Sequence, residues 1–343
     1  MAESNDTAPV LPKNHWYIAC ASSKLRGAPR GVRILDEQLV VFRGTSGTPV
    51  VLEDRCPHRQ APLSRGSLQG HTLQCAYHGW RFDPAGHCVD IPSLGAGSPM
   101  PSGIRVPTRT AIERAPYIWV WMGDGPADVS RIPDIPQFED LRWNQGTTVI
   151  ECSALTAIEN FFDPVHTAFL HRYTHPHFFR RALGGATQSS HELRATPSGL
   201  IAFAPPTAGA DDPVPDRPLG LARFELPNHA SLSFSLPWQR HHGHFFYVPE
   251  TADRTRVEWL TTKYLQLGRR IRWRRKNAVL EQDRLLLEQI EKWHQRRGRS
   301  DERSVAADAI TLMLSKILRL AAAGQWQGAH DSVPARRVVH FRL

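Results

Sequence analysis

With 343 residues, 41% of them hydrophobic and 22% charged, the chain reads as a soluble globular protein able to hold two ordinary domains. No stretch approaches about eighteen consecutive apolar residues, which excludes a spanning helix, and the polar opening MAESNDTAPVLPKNHW lacks a secretion-signal pattern. The net charge of +9 gathers in residues 269–276 and 296–299; with no nucleic-acid-binding motif beside them, these runs read first as a solvated face and second as docking for an acidic protein.

In chain order, short alternating runs from Trp16 to about Val51 predict strands broken by Gly and Pro turns. The stretch Cys56 to His78, CPHRQAPLSRGSLQGHTLQCAYH, then offers two ligand pairs, Cys56 with His58 and Cys75 with His78, with 16 residues between His58 and Cys75. Two thiolates and two imidazoles suit zinc or an iron–sulfur cluster. Structural zinc hairpins space their ligands two to four residues apart, whereas Cys56 and His58 have one residue between them. Both cysteines on one iron and both histidines on the other give a Rieske [2Fe–2S] centre. A zinc knuckle is the rival reading. Gly66, Gly70 and Gly79 supply turns around these residues.

Tyr117 to Trp121 predicts another strand, and a first domain spans 14–125. Residues 126–137, rich in Pro and Asp, form the expected linker to a second domain at 138–343. There the pattern gives a strand over 142–152, a helix from Ser153, strands between 191 and 265, and helices over 278–296 and 305–320. Residues 205–220 read as a mobile loop. Strands flanked by long helices make the fold class α+β, an all-β domain followed by an antiparallel sheet with helices on one face. Of the five cysteines, Cys20, Cys88 and Cys152 remain as free thiols in a reducing cytoplasm.

A second candidate site lies in ENFFDPVHTAFLH, residues 159–171. Two imidazoles and one carboxylate leave open positions on Fe(II), as oxygen chemistry needs. On an ideal helix His166 and His171 stand about 140° apart, so both reach one metal only if the helix ends or distorts between them; Asp163-Pro164 also reads as a helix break. The alternative makes Asp163 a plain helix cap with both histidines facing solvent. A further carboxylate is on offer elsewhere in the chain. On the helix over 279–293, Asp283 lies within about 60° of Leu280, Leu286, Leu287 and Ile290, inside the apolar stripe, where a carboxylate is costly unless paired or metal-bound. Asp283 is therefore the expected third ligand, with Glu281, Glu288 and Glu291 left as surface charges. The histidines of His241-His242-Gly243-His244 read as loop or strand-end residues. Phe161, Phe162, Phe169, His175, His177, Phe178 and Phe179 are candidates to line a pocket.

CPHRxAPLSRG followed by CAYHGWRFD resembles the cluster signature of Rieske non-haem iron oxygenases, and Asn160, Asp163, His166 and His171 match that family's N-x-x-D-x-x-H-x(4)-H pattern. The resemblance implies a helix-grip catalytic domain, and it implies a mononuclear Fe(II) held by His166, His171 and Asp283. It places Asn160 near the iron, as a weak ligand or as a hydrogen-bonding neighbour. Asp163 would link His166 to His78 of the partner subunit, which implies a closed ring, a homotrimer. Electrons would come from a separate reductase, with or without a ferredoxin, because no flavin or nicotinamide motif is present. The short chain is most similar to the vanillate demethylase and dicamba monooxygenase group. That implies O2-dependent hydroxylation or oxidative demethylation of a small aromatic compound, with no nucleic acid or membrane partner. Ring dihydroxylation is the enzymatic alternative, and a non-catalytic electron carrier is the rival from another class.

Overall fold

The structure, a computed structural model, describes residues 11–95, 98–135, 143–171, 189–209, 212–214, 220–236, 239–262, 269–326 and 333–341. The chain divides into two compact units, one over Lys13–Ile132 and one containing Pro133–Leu343.

In the first unit, β1 (His15–Ala21), β2 (Arg30–Ile34), β3 (Glu37–Arg43) and β4 (Pro49–Glu53) precede the first ligand pair. β5 (Ser67–Gln69) and β6 (Thr72–Gln74) lie between the pairs. β7 (Arg81–Phe82), β8 (Cys88–Asp90), β9 (Thr108–Arg109), β10 (Ala111–Arg114) and β11 (Tyr117–Met122) follow. They form three small antiparallel sheets, ordered β1-β11-β10, β2-β3-β4-β9 and β5-β6-β7-β8. β11, YIWVWM, is apolar throughout because the fold buries both of its faces. The unit runs past the expected end at Gly125. The Trp16 indole donates to the Asp128 carbonyl at 2.7 Å, which ties the 3-10 turn Val129–Arg131 to β1.

The second unit is built on one eight-stranded antiparallel sheet. Its strands are β12 (Trp143–Ile150), β13 (Ser189–Thr196), β14 (Gly199–Ala204), β15 (Gly220–Glu225), β16 (His229–Leu236), β17 (Gln239–Thr251), β18 (Arg254–Thr262) and β19 (Arg336–Phe341). The order is β12-β18-β17-β16-β15-β14-β13-β19. Helices α1 (Ala154–Phe162), α2 (His166–Phe169), α3 (Arg269–Arg297) and α4 (Ala309–Ala322) complete it, giving the expected α+β class. Phe161 of α1 lies 5.0 Å from Phe245 and 6.3 Å from Tyr247, ring to ring. Those two positions are two residues apart on β17 and therefore share a face of the sheet. α1 is thus seated on β17.

Strand β19 was not anticipated, since RRVVHF alternates too briefly to stand out. Its pairing with β13 brings Arg336 to Glu192, a fully buried carboxylate. Arg194 and Arg336 both donate to Glu192, whose second oxygen accepts from the Thr207 N–H and hydroxyl. These bonds outweigh the burial that raises the Glu192 carboxyl, and the group sits at about 2. Thr207 and Asp212, described parts of the 205–220 stretch, are therefore held in place: Arg194 also donates to Asp212 O, and Gly209 N–H to the Asp212 carboxylate. This corrects the mobile-loop expectation for them. Residues 210–211 and 215–219 lie outside the described residues.

Candidate functional site

The two ligand pairs of the first unit sit on loops with the same hydrogen-bond frame. Cys56 N–H donates to Ala61 O at 2.8 Å while Cys56 O accepts from Gln60 N–H; Cys75 N–H donates to Trp80 O at 2.8 Å while Cys75 O accepts from Gly79 N–H. Residues 60 and 79, each four past a cysteine, adopt φ of +61° and +74°. Glycine meets that requirement freely at 79, whereas Gln60 adopts it against its side-chain preference. At Gly66 the constraint is space, because a Cβ there would lie 2.0 Å from Gln74 O. Cys56 and Cys75 are buried in one core with Leu63, Leu73 and Phe82. Each such apolar side chain contributes about 1.5–3 kcal/mol to holding the loops.

His58 stacks on Trp80 at 4.5 Å with planes 4° apart, and its ring centre is 4.5 Å from that of His78, which is exposed. The Nδ1 of His58 is buried without a hydrogen-bond partner. Burial pushes the Cys56 thiol up to about 11, so a nearby cation is needed to hold it as a thiolate. The donor set, the partnerless nitrogen and the buried thiols fit a [2Fe–2S] cluster. His58→Ala is expected to abolish the red-brown colour and the labile sulfide; a variant that keeps both at wild-type level rules this assignment out.

In the second unit Ser153 caps α1, accepting from Thr156 N–H at 3.2 Å. The helix stops at Asp163, whose φ of −81° and ψ of 109° are extended, as the following proline demands. The chain turns and restarts as the single-turn α2 at His166, and His171 follows that turn. The Asp163-Pro164 break thus precedes both histidines, and α2 itself ends at Phe169, between them. Their rings stand 5.1 Å apart at 77°.

Asp283 of α3 meets them. Its Oδ1 lies 3.0 Å from His171 Nε2 and 3.6 Å from His166 Nε2, yet makes no well-formed hydrogen bond. The ligand atoms of His166, His171 and Asp283 all lie within 4.8 Å of one another, the sole such grouping among the described residues. Two imidazole nitrogens and a carboxylate oxygen that converge in this way fit a metal ion bound between them. Behind the histidines, Asp163 Oδ2 faces His166 Nδ1 at 3.6 Å, and Gln282 Oε1 faces His171 Nδ1 at 3.1 Å. Burial raises the Asp163 carboxyl, but His166 and the Val165 N–H (2.8 Å to Oδ1) outweigh it and hold the group below the usual range. Burial likewise opposes charge on His171, while Asp283 and Gln282 overcome it and raise the imidazole. Asn160 is half-buried in the last turn of α1, and its carbonyl accepts from Asp163 N–H at 3.3 Å.

Several expectations need correction. Glu291 is no surface charge: it is 6% exposed, and its Oε2 accepts from Ser153 N–H at 3.0 Å and Thr156 Oγ1 at 3.2 Å. It satisfies donors that α1 leaves open at its N-terminus, so α3 both supplies Asp283 and grips the helix that leads to the histidines. Glu288 is half-buried, paired with Arg284 at 2.8 Å, while Glu281 is exposed as expected. Leu286 is 42% exposed and leaves the apolar stripe, whose buried member is Leu287. Arg299 is half-buried in an ion pair with Glu159 of α1, whereas Arg296 and Arg297 lie exposed over the Trp293 ring.

His241 to His244 are paired residues of β17, not loop residues, and His241 and His244 are buried. His244 Nδ1 lies 3.0 Å from His229 Nε2, and His229 Nδ1 lies 3.0 Å from Glu225 Oε2. Burial, then His229, lowers the His244 imidazole to about 3, so it is neutral. Phe162 is buried and Phe169 is 66% exposed; His175, His177, Phe178 and Phe179 lie outside the described residues, as do the side chains of 269–276. Sequence reasoning missed Gln282 and Glu291, although both lie within eight residues of Asp283.

Glu291→Ala is expected to lower stability by about 1–3 kcal/mol, because two buried donors lose their acceptor. A lower denaturation midpoint with an unchanged slope checks this.

Comparison with known proteins agrees with this geometry. Residues 15–108 match the Rieske [2Fe-2S] domain, and residues 150–323 match the vanillate O-demethylase oxygenase C-terminal domain. The chain is 37% identical over 163 residues to dicamba O-demethylase, oxygenase component, of Stenotrophomonas maltophilia, covering 47% of this chain and 48% of that protein. It is 33% identical over 166 residues to the vanillate O-demethylase oxygenase subunit of a Pseudomonas species, covering 47% and 46%. The chain thus spans about half the length of the curated relatives it matches. The fold is shared with dicamba monooxygenase bound to dicamba, at a TM-score of 0.73 and 24% identity over 91% of this chain and 98% of that one. No helix among the described residues is long and apolar enough to cross a membrane. With a Rieske domain ahead of that C-terminal domain, the chain belongs to the Rieske oxygenases of the vanillate O-demethylase family.

Proposed function

We propose that this chain is the oxygenase component of a multicomponent monooxygenase, hydroxylating or oxidatively demethylating a small aromatic compound. The observation that carries the reading is the convergence of His166, His171 and Asp283 in a chain that also holds a Rieske ligand set. A pure electron carrier has no use for the second site.

Cys56, Cys75, His58 and His78 would hold the [2Fe–2S] cluster, and His166, His171 and Asp283 a ferrous ion. When bound, that iron supplies the capacity to reduce O2 with electrons delivered one at a time. The protein's own part is to orient and insulate. Asp283 and both Nε2 atoms would supply the ligands, and Asp163 and Gln282 hold the opposite edges of the rings. The Asp163 side chain remains 35% exposed, so it can accept a further bond from His78 of the partner subunit in a ring of three. Electrons reach the cluster from a reductase, directly or through a ferredoxin. None of the five cysteines is in a disulfide, which suits a reducing cytoplasm.

The test supplies NADH, a surrogate reductase and 18O2, and screens aromatic acids and aryl ethers for substrate-dependent O2 uptake. Incorporation of one labelled oxygen atom, or formaldehyde release from a methyl ether, is expected. Two labelled atoms in a cis-diol would replace monooxygenation by ring dihydroxylation. Protein that carries one zinc and no labile sulfide ends the oxygenase reading.

A further inference from the structure

We propose that Gln282 is a positioning residue for the mononuclear centre: its amide oxygen keeps the proton of His171 on Nδ1 and turns Nε2 toward the metal. This rests on the iron-site reading above and adds to it a residue with no part in the sequence pattern.

His171 is 1% exposed, so both ring nitrogens must find partners inside the protein. The two partners come from consecutive residues of α3. Gln282 Oε1 lies 3.1 Å from Nδ1 and Asp283 Oδ1 lies 3.0 Å from Nε2. An amide oxygen only accepts, so Nδ1 must donate to it, and in the neutral ring the lone pair then belongs to Nε2. The opposite arrangement, with the amide nitrogen facing the ring, would demand an unprotonated Nδ1. The proton would then sit on Nε2 and point at Asp283, where it blocks coordination. Adjacent positions on a helix diverge by about 100°, which lets one stretch of α3 address both edges of a single imidazole.

The other histidine is backed differently. Asp163, a carboxylate, faces His166 Nδ1 at 3.6 Å, whereas His171 is backed by a neutral amide. The reason lies in the charge count. Asp163 and Asp283 together carry two negative charges, which a ferrous ion balances. A third carboxylate beside Asp283 would leave the loaded site negative and bind the divalent ion more tightly. A glutamine orients the ring without adding that charge.

The test uses the full chain with its cluster intact and the mononuclear metal stripped. Ferrous ion is titrated anaerobically against a chelator, with the visible spectrum of bound Co(II) reporting coordination. Q282M keeps the length of the side chain but lacks the acceptor, and is expected to bind ferrous ion about 10- to 100-fold more weakly. Q282E keeps the acceptor and is expected to bind at least as tightly as wild type. Metal-free Q282E should melt as wild type does, whereas metal-free Q282M, which strands the buried Nδ1–H, should melt lower; the altered Co(II) spectrum of Q282M is the readout a merely structural role would not move. Q282M that binds as tightly as wild type overturns the proposal, as does Q282E that binds as weakly as Q282M. If Q282M does not accumulate, Q282E alone decides, and weakened binding there is the overturning result. Wild-type protein that binds no ferrous ion at all would instead remove the iron-site reading beneath it.

Discussion

Asp283→Ala is expected to empty the mononuclear site and abolish turnover while the cluster spectrum stays unchanged. Asp283 Oδ1 faces the Nε2 nitrogens of both histidines, and it comes from a different helix. Its loss removes the carboxylate that faces both Nε2 atoms, so metal affinity should fall by more than the roughly 10–100-fold that follows loss of an outer partner. The cluster ligands belong to the other compact unit and are untouched. Glu288→Ala is the control. Its carboxylate pairs with Arg284 and accepts weakly from Glu151 N–H at 3.4 Å, so its removal should cost under about 1 kcal/mol and leave iron content unchanged. Iron and sulfide assays on both variants check the pair. An iron-free Glu288→Ala beside a loaded Asp283→Ala would reverse the assignment.

Asp163→Asn is expected to keep both metal sites and the fold but to stop electrons passing from reduced cluster to iron. The carboxylate accepts from Val165 N–H, faces His166 and remains part-exposed, whereas an amide is neutral and offers one accepting oxygen in place of two. Single-turnover kinetics should show a cluster that accepts electrons from its donor and does not release them. Mixing Asp163→Asn chains with His78→Ala chains sharpens the measurement, since a mixed ring can contain one intact junction. Activity recovered on mixing is the expected result. Without recovery, and with subunit exchange verified, the route runs within one chain; normal turnover by Asp163→Asn alone removes the bridge.

Much of the candidate site was legible because its chemistry is local. The Cys-His pairs are short motifs, the proline after Asp163 marks the helix break, and Asp283 stands out as a charge within an apolar stripe. What escaped is whatever depends on partners distant in sequence. Glu291 looks like any exposed helical glutamate until Ser153 and Thr156 are brought to it. Leu286 fits the stripe by angle, yet the face that α3 buries excludes it. Gln282 gained meaning only once His171 was seen against it. The same limit hid β19, whose six residues carry no pattern without β13 alongside.

The edge of the large sheet carries a consequence for biosynthesis. β13 is synthesised well over a hundred residues before β19, the strand that covers its open side. α3, with Asp283 and Glu291, emerges between them. A nascent chain can therefore complete its histidine–carboxylate cluster while β13 still presents unpaired N–H and C=O groups, a template for pairing with another chain. During that interval Glu192 has one guanidinium within reach instead of two. Translation of residues 336–341 closes the edge and supplies the second cation in the same step.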